Sequence, residues 1–169
     1  IPRDYLVNTK EFGQGRINAV FAQTYSDTND WNKAGEASIA VVEKMSGLEI
    51  PYFAVIDFDG FEKTINLLGG VDVQIDRTFT DYTFPNDSQG YLPPVTFTEG
   101  METMNGERAL IFARSRHAAG AEGSDFARSA RQQKIIQAAK TKLVSLNIVG
   151  DAGKINELFT ICLLYTSPS

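Results

Sequence analysis

With 169 residues, 43% of them hydrophobic and 22% charged, and a formal net charge of −5 at pH 7, the chain has the size and composition of a globular domain with one hydrophobic core. Its apolar runs are shorter than the ~18 residues that a membrane-spanning helix needs, and no signal-peptide pattern is present. The one cysteine, Cys162, excludes an internal disulfide and a zinc site built on cysteines.

The two ends of the sequence do not resemble the ends of a complete domain. The chain begins with IPRDYLV, without methionine, on what resembles the end of an apolar strand, so we expect a fragment whose N-terminus lies upstream. The last residues, ICLLYTSPS, follow a helical pattern without a stop signal and differ from it in composition. We therefore predict a domain over residues 1–146 and a terminal segment over 147–169, in which residues 161–169 are either a native strand or a cloning or assembly artefact.

Two helices are predicted near the start of the chain. Apolar residues recur at helical spacing in residues 16–25 and again in residues 32–47. The second pattern ends at Gly47, and glycine readily adopts the positive φ that a helix C-terminus requires.

A strand, a helix and a second strand are predicted to follow. Residues 50–58 form an apolar run rich in β-forming residues, residues 59–70 have helical spacing and end in two glycines, and residues 71–75 alternate between apolar and polar. This β–α–β alternation predicts a sheet covered by helices. We expect Asp59 to cap the helix and Asp57 to end the strand, while a metal-ligand pair remains the alternative for two aspartates at this spacing.

The second half of the chain predicts extended segments and then two helices. Residues 77–98 contain two extended segments separated by a turn-rich stretch. A helix with Asn105 as its N-cap is predicted next. The longest helix covers residues 124–146, and either Ser124 or Asp125 would cap it.

Basic residues are concentrated near the start of that longest helix. The first hundred residues carry 15 acidic and 7 basic side chains, whereas the other 69 carry 6 and 9, and five of the eight arginines fall within residues 108–131. Arg128, Arg131 and Gln132 share one face of the helix because they are three and four residues apart. A helix N-terminus already carries partial positive charge, so two arginines there favour a bound anion.

Further residues are predicted to join this site. Arg114 and Arg116 precede a glycine-containing loop that could bring both to the same place, Asp125 could orient a guanidinium, and Arg3 lies at the end of a predicted strand. A guanidinium binds two oxygens at once and stays charged when desolvated, which suits a diphosphate or polyphosphate. A solvated basic surface and a nucleic-acid-binding face are the alternatives, and the negative net charge disfavours the second.

Phe61 lies in the helix predicted over residues 59–70, and Phe58 directly precedes that helix. The two residues are three apart, so they would share its apolar face. Their spacing is typical of core residues, and a groove for an acyl or isoprenoid chain would produce the same pattern.

Several segments resemble, in order and spacing, the LytR–CpsA–Psr domain. They are PRD, RINA, DFDGFEKTINLLGGVDVQI, FTEGMETMNGERALIFARSR and DFARSARQQ, which together extend over residues 1 to about 142. The resemblance implies an α/β (α+β) fold with a mixed central β-sheet covered by helices on both faces, with the first strands missing. It also implies a phosphotransferase that attaches glycopolymers, such as teichoic acid or capsular polysaccharide, to peptidoglycan in bacterial cell-wall biogenesis.

The resemblance assigns roles to the residues singled out above. The catalytic residues that it implies are Arg3, Arg114, Arg116, Arg128 and Arg131, and the residues implied to bind pyrophosphate and lipid are Asp125, Gln132, Phe58 and Phe61.

The implied cofactor is Mg²⁺ (or Mn²⁺), with its ligands expected in an upstream segment that the sequence lacks, so we expect the fragment itself to be inactive. The implied partners are a polyprenyl-pyrophosphate-linked glycan and a peptidoglycan acceptor, and nucleic acid is not expected. The implied location is extracytoplasmic, with anchoring to the bacterial cell membrane through an N-terminal helix outside this sequence. A hydrolase of the same lipid and a non-enzymatic module that binds isoprenoid phosphates remain as alternatives.

Overall fold

The computed structural model describes residues 5–9, 13–53, 55–86, 90–145 and 153. The chain divides after Ile56 into two compact units. The predicted Arg3 lies outside the described residues, as do residues 147–152 and 154–169.

The first unit contains two strands and two helices. Strands β1 (Leu6–Thr9) and β2 (Gly13–Arg16) pair in antiparallel fashion, and helices α1 (Ile17–Thr28) and α2 (Trp31–Ser46) follow. Asp30 caps α2 by accepting hydrogen bonds from two backbone N–H groups in its first turn, at 2.9 and 3.2 Å. The helix ends at Gly47, whose φ of 69° confirms the predicted C-terminus.

The strand predicted over residues 50–58 is not formed among its described residues. The backbone N–H of Ile50 donates to the carboxylate of Glu43 in α2, at 2.7 Å, instead of to a neighbouring strand. The apolar side chains of Ile50, Phe53 and Val55 instead line a cleft beside α2. The prediction was wrong because an apolar composition rich in β-forming residues does not by itself supply the partner with free backbone groups that a strand requires.

The second unit alternates short strands with helices. Its elements are α3 (Phe58–Leu67), β3 (Val71–Ile75), β4 (Phe79–Asp81), β5 (Val95–Phe97), β6 (Gly100–Met104), α4 (Gly106–Arg114), a 3₁₀ turn (Gly120–Gly123) and α5 (Asp125–Ser145).

The strands of this unit pair as two antiparallel ribbons, β3 with β6 and β4 with β5. The α/β class is therefore confirmed, while the strands of the described residues form three separate two-stranded antiparallel sheets in place of one mixed sheet. Strand β6 was not predicted, because GMETM contains only one residue type with a strong preference for strands. It forms because β3 offers a backbone edge along which all five of its residues pair.

The core of the second unit lies between its strands and helices α3, α4 and α5. Its largest fully buried side chains include Phe97, Phe112, Ile65, Leu68 and Ile135. Three polar residues are also buried beside this core, and they are Asp81, Ser115 and Arg131. Buried polar groups persist only when they are hydrogen-bonded, so these three identify where the fold is organised by polar contacts.

Helix α4 starts in tight contact with α3. A Cβ atom on Gly106 would lie 2.3 Å from the backbone oxygen of Glu62, so only glycine fits there. The N–H of Gly106 donates to the side-chain oxygen of Asn66 at 2.8 Å, and Asn105 caps the helix as predicted by accepting from the N–H of Arg108 at 2.9 Å. These contacts fix the start of α4. Because the helix is rigid, they also help to position the residues that follow its C-terminus, which include Arg116.

The cap of α3 differs from the prediction. Asp57 accepts a hydrogen bond from the N–H of Gly60 at 2.7 Å and is the N-cap, whereas Asp59 lies inside the helix and pairs with Lys63 at 2.6 Å. The predicted cap was therefore two residues too late, because the helix begins inside the run that was read as a strand.

Candidate functional site

The end of α4 and the start of α5 carry most of the predicted site residues. Ser124 caps α5, since its hydroxyl oxygen accepts from the N–H of Ala127 at 3.1 Å, and Asp125 is the first helical residue. Of the two caps considered from the sequence, Ser124 is the one observed.

Arg131 lies in the interior of the second unit. Its residue surface is only 4% exposed, and its guanidinium stacks over the ring of Phe79 at 4.9 Å from the centroid. Its Nε donates to the carbonyl of Phe112 at 3.1 Å, one terminal nitrogen donates to the carbonyl of Ser115, and the other donates to the carbonyl and carboxylate of Glu122 at 3.0 and 3.1 Å. Four hydrogen bonds therefore occupy this side chain within the protein.

These contacts cap the C-terminus of α4. The last carbonyl groups of a helix have no partner within the helix and carry partial negative charge. Arg131 supplies a donor to Phe112, and the side-chain nitrogen of Gln132 approaches the carbonyl of Ala113 at 3.4 Å. Burial lowers the pKa of Arg131, and the nearby charge of Glu122 opposes this shift. The positive charge at the start of α5 is thus partly balanced from within the fold, in addition to the bound anion that the sequence predicts.

Asp81, at the end of β4, holds the residues that follow α4. It is 1% exposed, and one of its oxygens accepts from the N–H groups of Arg116 and His117 at 3.1 and 3.3 Å. Its other oxygen accepts from the N–H of Thr83 at 3.1 Å. Sequence reasoning missed this residue. One signal was available in the sequence. Asp81 lies on the same face of β4 as Phe79, which is two residues earlier, and β4 buries that face.

The side chains of Arg116 and Arg128 lie in different surroundings, since Arg116 is exposed and Arg128 is largely covered. The side chain of Arg116 is exposed and forms no ion pair within the described part of the chain. Arg128 is 16% exposed at its side chain and pairs with one oxygen of Asp125 at 3.1 Å, while the Asp125 side chain is 72% exposed. The predicted orienting contact of Asp125 is therefore present, as a single contact and not a bidentate one.

Arg114 lies beside a different group of residues. Its guanidinium stacks over Phe58 at 4.1 Å and over Phe84 at 5.4 Å from the ring centroids. These three residues line a cleft of about 340 Å³ whose other walls include Glu62 and Glu107. Arginine on an aromatic face keeps part of its guanidinium available for a further ligand.

The two phenylalanines predicted to bind lipid lie in different environments. Phe58 is 57% exposed at the mouth of the cleft, whereas Phe61 is half-buried and packs against the core of the second unit. Within the first unit, a separate apolar cleft of about 210 Å³ is lined by residues that include Phe21, Ile39 and Phe53. The sequence argument did not locate this cleft, because it assigned its apolar residues to a helix face and a strand.

The remaining arginine of the cluster is structural. Arg108 pairs with the carboxylate of Glu102 through two contacts, at 2.6 and 3.2 Å, and stacks over Phe97 at 3.8 Å from the ring centroid. It therefore supports the β5–β6 side of the core.

Among the described residues, no group of three or more histidine, cysteine or carboxylate side chains is placed to hold a metal ion. In the same part of the chain, no helix is both long and apolar enough to cross a bilayer.

The site as a whole brings two chain segments together. Arg131 and Gln132 contact residues 112–115 directly, so the first turns of α5 lie against the segment that carries Arg114 and Arg116. A buried network of arginine, carboxylates and carbonyls supports this junction, and Arg116 and Arg128 belong to the segments that it joins. Such an arrangement can bind an anion with several oxygens.

Comparisons with known proteins give one consistent result. The LytR_cpsA_psr family profile matches residues 1–161. The polyisoprenyl-teichoic acid–peptidoglycan teichoic acid transferase TagV of Bacillus subtilis (strain 168) is 29% identical over 160 residues, which are 93% of this chain and 37% of TagV. The corresponding transferase TagU of Oceanobacillus iheyensis is 29% identical over 158 residues, which are 94% of this chain and 44% of TagU.

The fold agrees with this result. A crystal structure of B. subtilis TagV matches 85% of this chain and 49% of its own, with a TM-score of 0.61 and 29% identity. The chain thus spans less than half the length of the curated relatives named here. The family match extends past residue 146, and the domain boundary predicted there stays a prediction. Since the match covers far more than half of its residues, this chain belongs to the LytR_cpsA_psr family.

Proposed function

We propose that the protein containing this chain transfers a glycopolymer from a polyprenyl-pyrophosphate-linked precursor to peptidoglycan during cell-wall assembly. Family membership supports this proposal, as do the names of TagV and TagU, which describe transfer of teichoic acid to peptidoglycan. The observation in the structure that carries it is the junction of α4 and α5, where a buried network holds one segment against the other and uses neither the Arg116 nor the Arg128 side chain.

The predicted site residues divide into two roles in this proposal. Arg116 and Arg128, together with Arg114 beside its aromatic cleft, contact the pyrophosphate. Arg131 and Gln132 cap α4 and thereby position the other three, because their donors already bind backbone carbonyls. Direct contact between Arg131 and the ligand stays a prediction of the family resemblance.

The reaction is a single displacement at phosphorus. The oxygen of a peptidoglycan hydroxyl forms a bond to the sugar-proximal phosphorus, the bond from that phosphorus to the bridging oxygen breaks, and polyprenyl phosphate leaves with the electron pair. The hydroxyl releases its proton. Negative charge grows on the non-bridging oxygens and the leaving group, where fixed guanidinium groups stabilise it.

Among the described residues, no group of three or more histidine, cysteine or carboxylate side chains is placed to hold the implied Mg²⁺ (or Mn²⁺), and its predicted ligands in an upstream segment stay a prediction.

We propose the apolar cleft of the first unit as a binding site for part of the prenyl chain. Its walls carry aromatic and aliphatic side chains, and Gly35 makes room for the ring of Phe53, since a Cβ there would lie 2.2 Å from that ring. Phe58 would contribute at the second unit's cleft, whereas the packing of Phe61 against the core favours a structural role. The extracytoplasmic location and the membrane anchor follow from the proposed substrates and stay proposals.

The test is a transfer assay with the full-length protein, a prenyl-pyrophosphate-linked sugar and a peptidoglycan acceptor. Arg116→Ala and Arg128→Ala should each reduce the rate by about 10²–10³-fold, which is the effect of removing one donor to a developing oxyanion. Lys140→Ala is the matched control. It removes an exposed cation from the same helix, twelve residues and roughly 18 Å beyond Arg128, and should leave the rate unchanged.

A binding measurement separates the alternatives. A short-chain polyprenyl pyrophosphate at ~100 times its Kd should stabilise the wild-type protein by about 2.7 kcal/mol, and the two arginine variants should lose that stabilisation. Release of the sugar phosphate without acceptor would instead identify a hydrolase. Binding without turnover by the full-length protein would identify a carrier module, and an unchanged melt in the wild type would contradict the pyrophosphate site.

A further inference from the structure

We propose that Asp81 is a positioning residue for the pyrophosphate site, which it serves by fixing the backbone that carries Arg116. This inference rests on the proposed function, because it specifies how one ligand-binding arginine is held.

The surroundings of Asp81 are unusual for a carboxylate. It is 1% exposed and forms no ion pair within the described part of the chain. Its two oxygens accept hydrogen bonds from three backbone N–H groups, those of Thr83, Arg116 and His117, at 3.1 to 3.3 Å. Burying a charge is costly, and a neutral apolar residue could fill the same space. What the carboxylate adds is the ability to bind donors on two sides at once, since both oxygens of an ionised carboxylate accept hydrogen bonds.

The segment held by Asp81 is fixed from both directions. One carboxylate oxygen binds two consecutive amides, those of Arg116 and His117, and an isolated β-bridge joins Asp81 to Ala118. On the preceding residue, Arg131 binds the carbonyl of Ser115. Arg116 thus has an exposed side chain on a fixed backbone. A guanidinium projected from a fixed backbone loses less conformational freedom when it binds, which strengthens binding without any new contact.

The sign of a mutational effect distinguishes positioning from charge. Asp81 is negative, and its field reaches the arginine cluster, where it opposes the effect of burial on the pKa of Arg131. If charge alone mattered, removing Asp81 would strengthen the binding of an anion. If Asp81 positions Arg116, its removal weakens binding instead.

The experiment measures the Kd of inorganic pyrophosphate for the full-length protein by calorimetry at a temperature far below the melt. The variants are Asp81→Ala, Arg116→Ala and the double variant, and Asp76→Ala is the control, since it removes a carboxylate whose ion pair, at 2.6 Å, is with Lys134. We expect Asp81→Ala to weaken binding about tenfold, comparable with the smaller losses seen when outer-shell partners are removed from metal sites. In the Arg116→Ala background, removing Asp81 should cause no further loss, because coupled residues are not additive. Asp76→Ala should bind as the wild type does.

Asp81→Asn provides a conservative rescue and covers the case in which the alanine variant fails to fold. Its amide oxygen can still accept from Arg116 and His117, so binding should weaken less than in Asp81→Ala, while its amide nitrogen faces the N–H of Thr83 and stability should fall. Hydrogen exchange at the amides of Arg116 and His117 should accelerate in Asp81→Ala and less in Asp81→Asn.

The outcomes separate this inference from the proposed function. Tighter binding by Asp81→Ala, or additive losses in the double variant, would overturn the positioning role while leaving the pyrophosphate site intact. If Arg116→Ala and Arg128→Ala both bind pyrophosphate as tightly as the wild type, the proposed site is wrong, and the inference falls with it.

Discussion

Replacing Arg131 by methionine should destabilise the protein far more than the same replacement at Arg128. Both residues belong to the motif DFARSARQQ, but only Arg131 is buried and bonded on all sides. In Arg131→Met the carbonyls of Phe112 and Ser115 lose their donor, and these residues are 1% and 0% exposed. An unsatisfied buried polar group costs about 1–3 kcal/mol, so two of them give roughly 2–6 kcal/mol, with about 3–4 kcal/mol as the expected value.

The partner carboxylate adds less to this cost. The Glu122 side chain is 28% exposed and can regain contact with water when its partner is removed. At Arg128, the ion pair with the exposed Asp125 should contribute no more than about 1 kcal/mol, because such pairs are weakened by solvent. With the expected cost of about 3–4 kcal/mol at Arg131, the difference between the two variants should be about 2–4 kcal/mol.

Urea unfolding followed by circular dichroism measures this difference directly, with the midpoint and slope recorded for each variant. For a protein of this size or larger, the loss at Arg131 corresponds to a fall of roughly 6–16 °C in Tm. Pyrophosphate binding should show the reverse order, with a greater loss for Arg128→Met at a temperature where both variants are folded. Equal stabilities for the two variants, or a cost below about 1 kcal/mol at Arg131, would refute the assignment of Arg131 to the capping network.

Three further changes test other contacts. Gly106→Ala should cost about 1–3 kcal/mol in urea unfolding, since its Cβ would lie 2.3 Å from the backbone oxygen of Glu62, and a cost near zero would mean that α4 can shift away from α3. Asn105→Ala should cost about 1 kcal/mol through loss of the α4 cap, and Asn105→Gly should cost only a few tenths, so equal costs would argue against capping. The hydrogen bond to Asp59 raises the pKa of Lys63, so any stability from this pair is present at neutral pH and is lost as the pH rises through the raised pKa. Because both side chains are exposed, Lys63→Ala should leave the urea midpoint at pH 7 unchanged, and a clear shift would show that the pair contributes more than solvent screening allows.

Local signals in the sequence predicted the helices well. Asn105 and Gly47 act as the caps that their chemistry predicts, since each effect depends on neighbouring backbone groups alone. Ser124 was one of two candidates for the same reason. Helix periodicity is likewise local, and it identified both the long α5 and the shorter α3.

Strand pairing could not be predicted in the same way. Residues 50–58 have the composition of a strand, yet their described part forms no strand. In contrast, the composition of β6 does not predict a strand, yet β6 pairs over five residues with β3. A strand exists only where another segment offers a complementary edge, and that edge belongs to the tertiary structure. For the same reason the sequence did not reveal Asp81, whose partners are 35 and 36 residues further along the chain.

The arginine motif shows why spacing alone leaves a functional assignment incomplete. Arg128 and Arg131 are one helical turn apart, so the sequence places them on one face and treats them alike. The end of α4 breaks this equivalence, because its last carbonyls accept hydrogen bonds from Arg131, while within the described residues Arg128 pairs with the exposed carboxylate of Asp125. The buried carboxylate of Asp81 has the complementary effect, since it takes up the amide donors of the segment around Arg116. Internal partners thus satisfy the groups that cannot reach water, and Arg116 and Arg128, whose side chains take no part in that network, are the arginines proposed to bind the anion. In the proposed function, the partner that α4 offers decides whether an arginine of this motif binds the ligand or supports the fold, and the pyrophosphate site depends on both kinds.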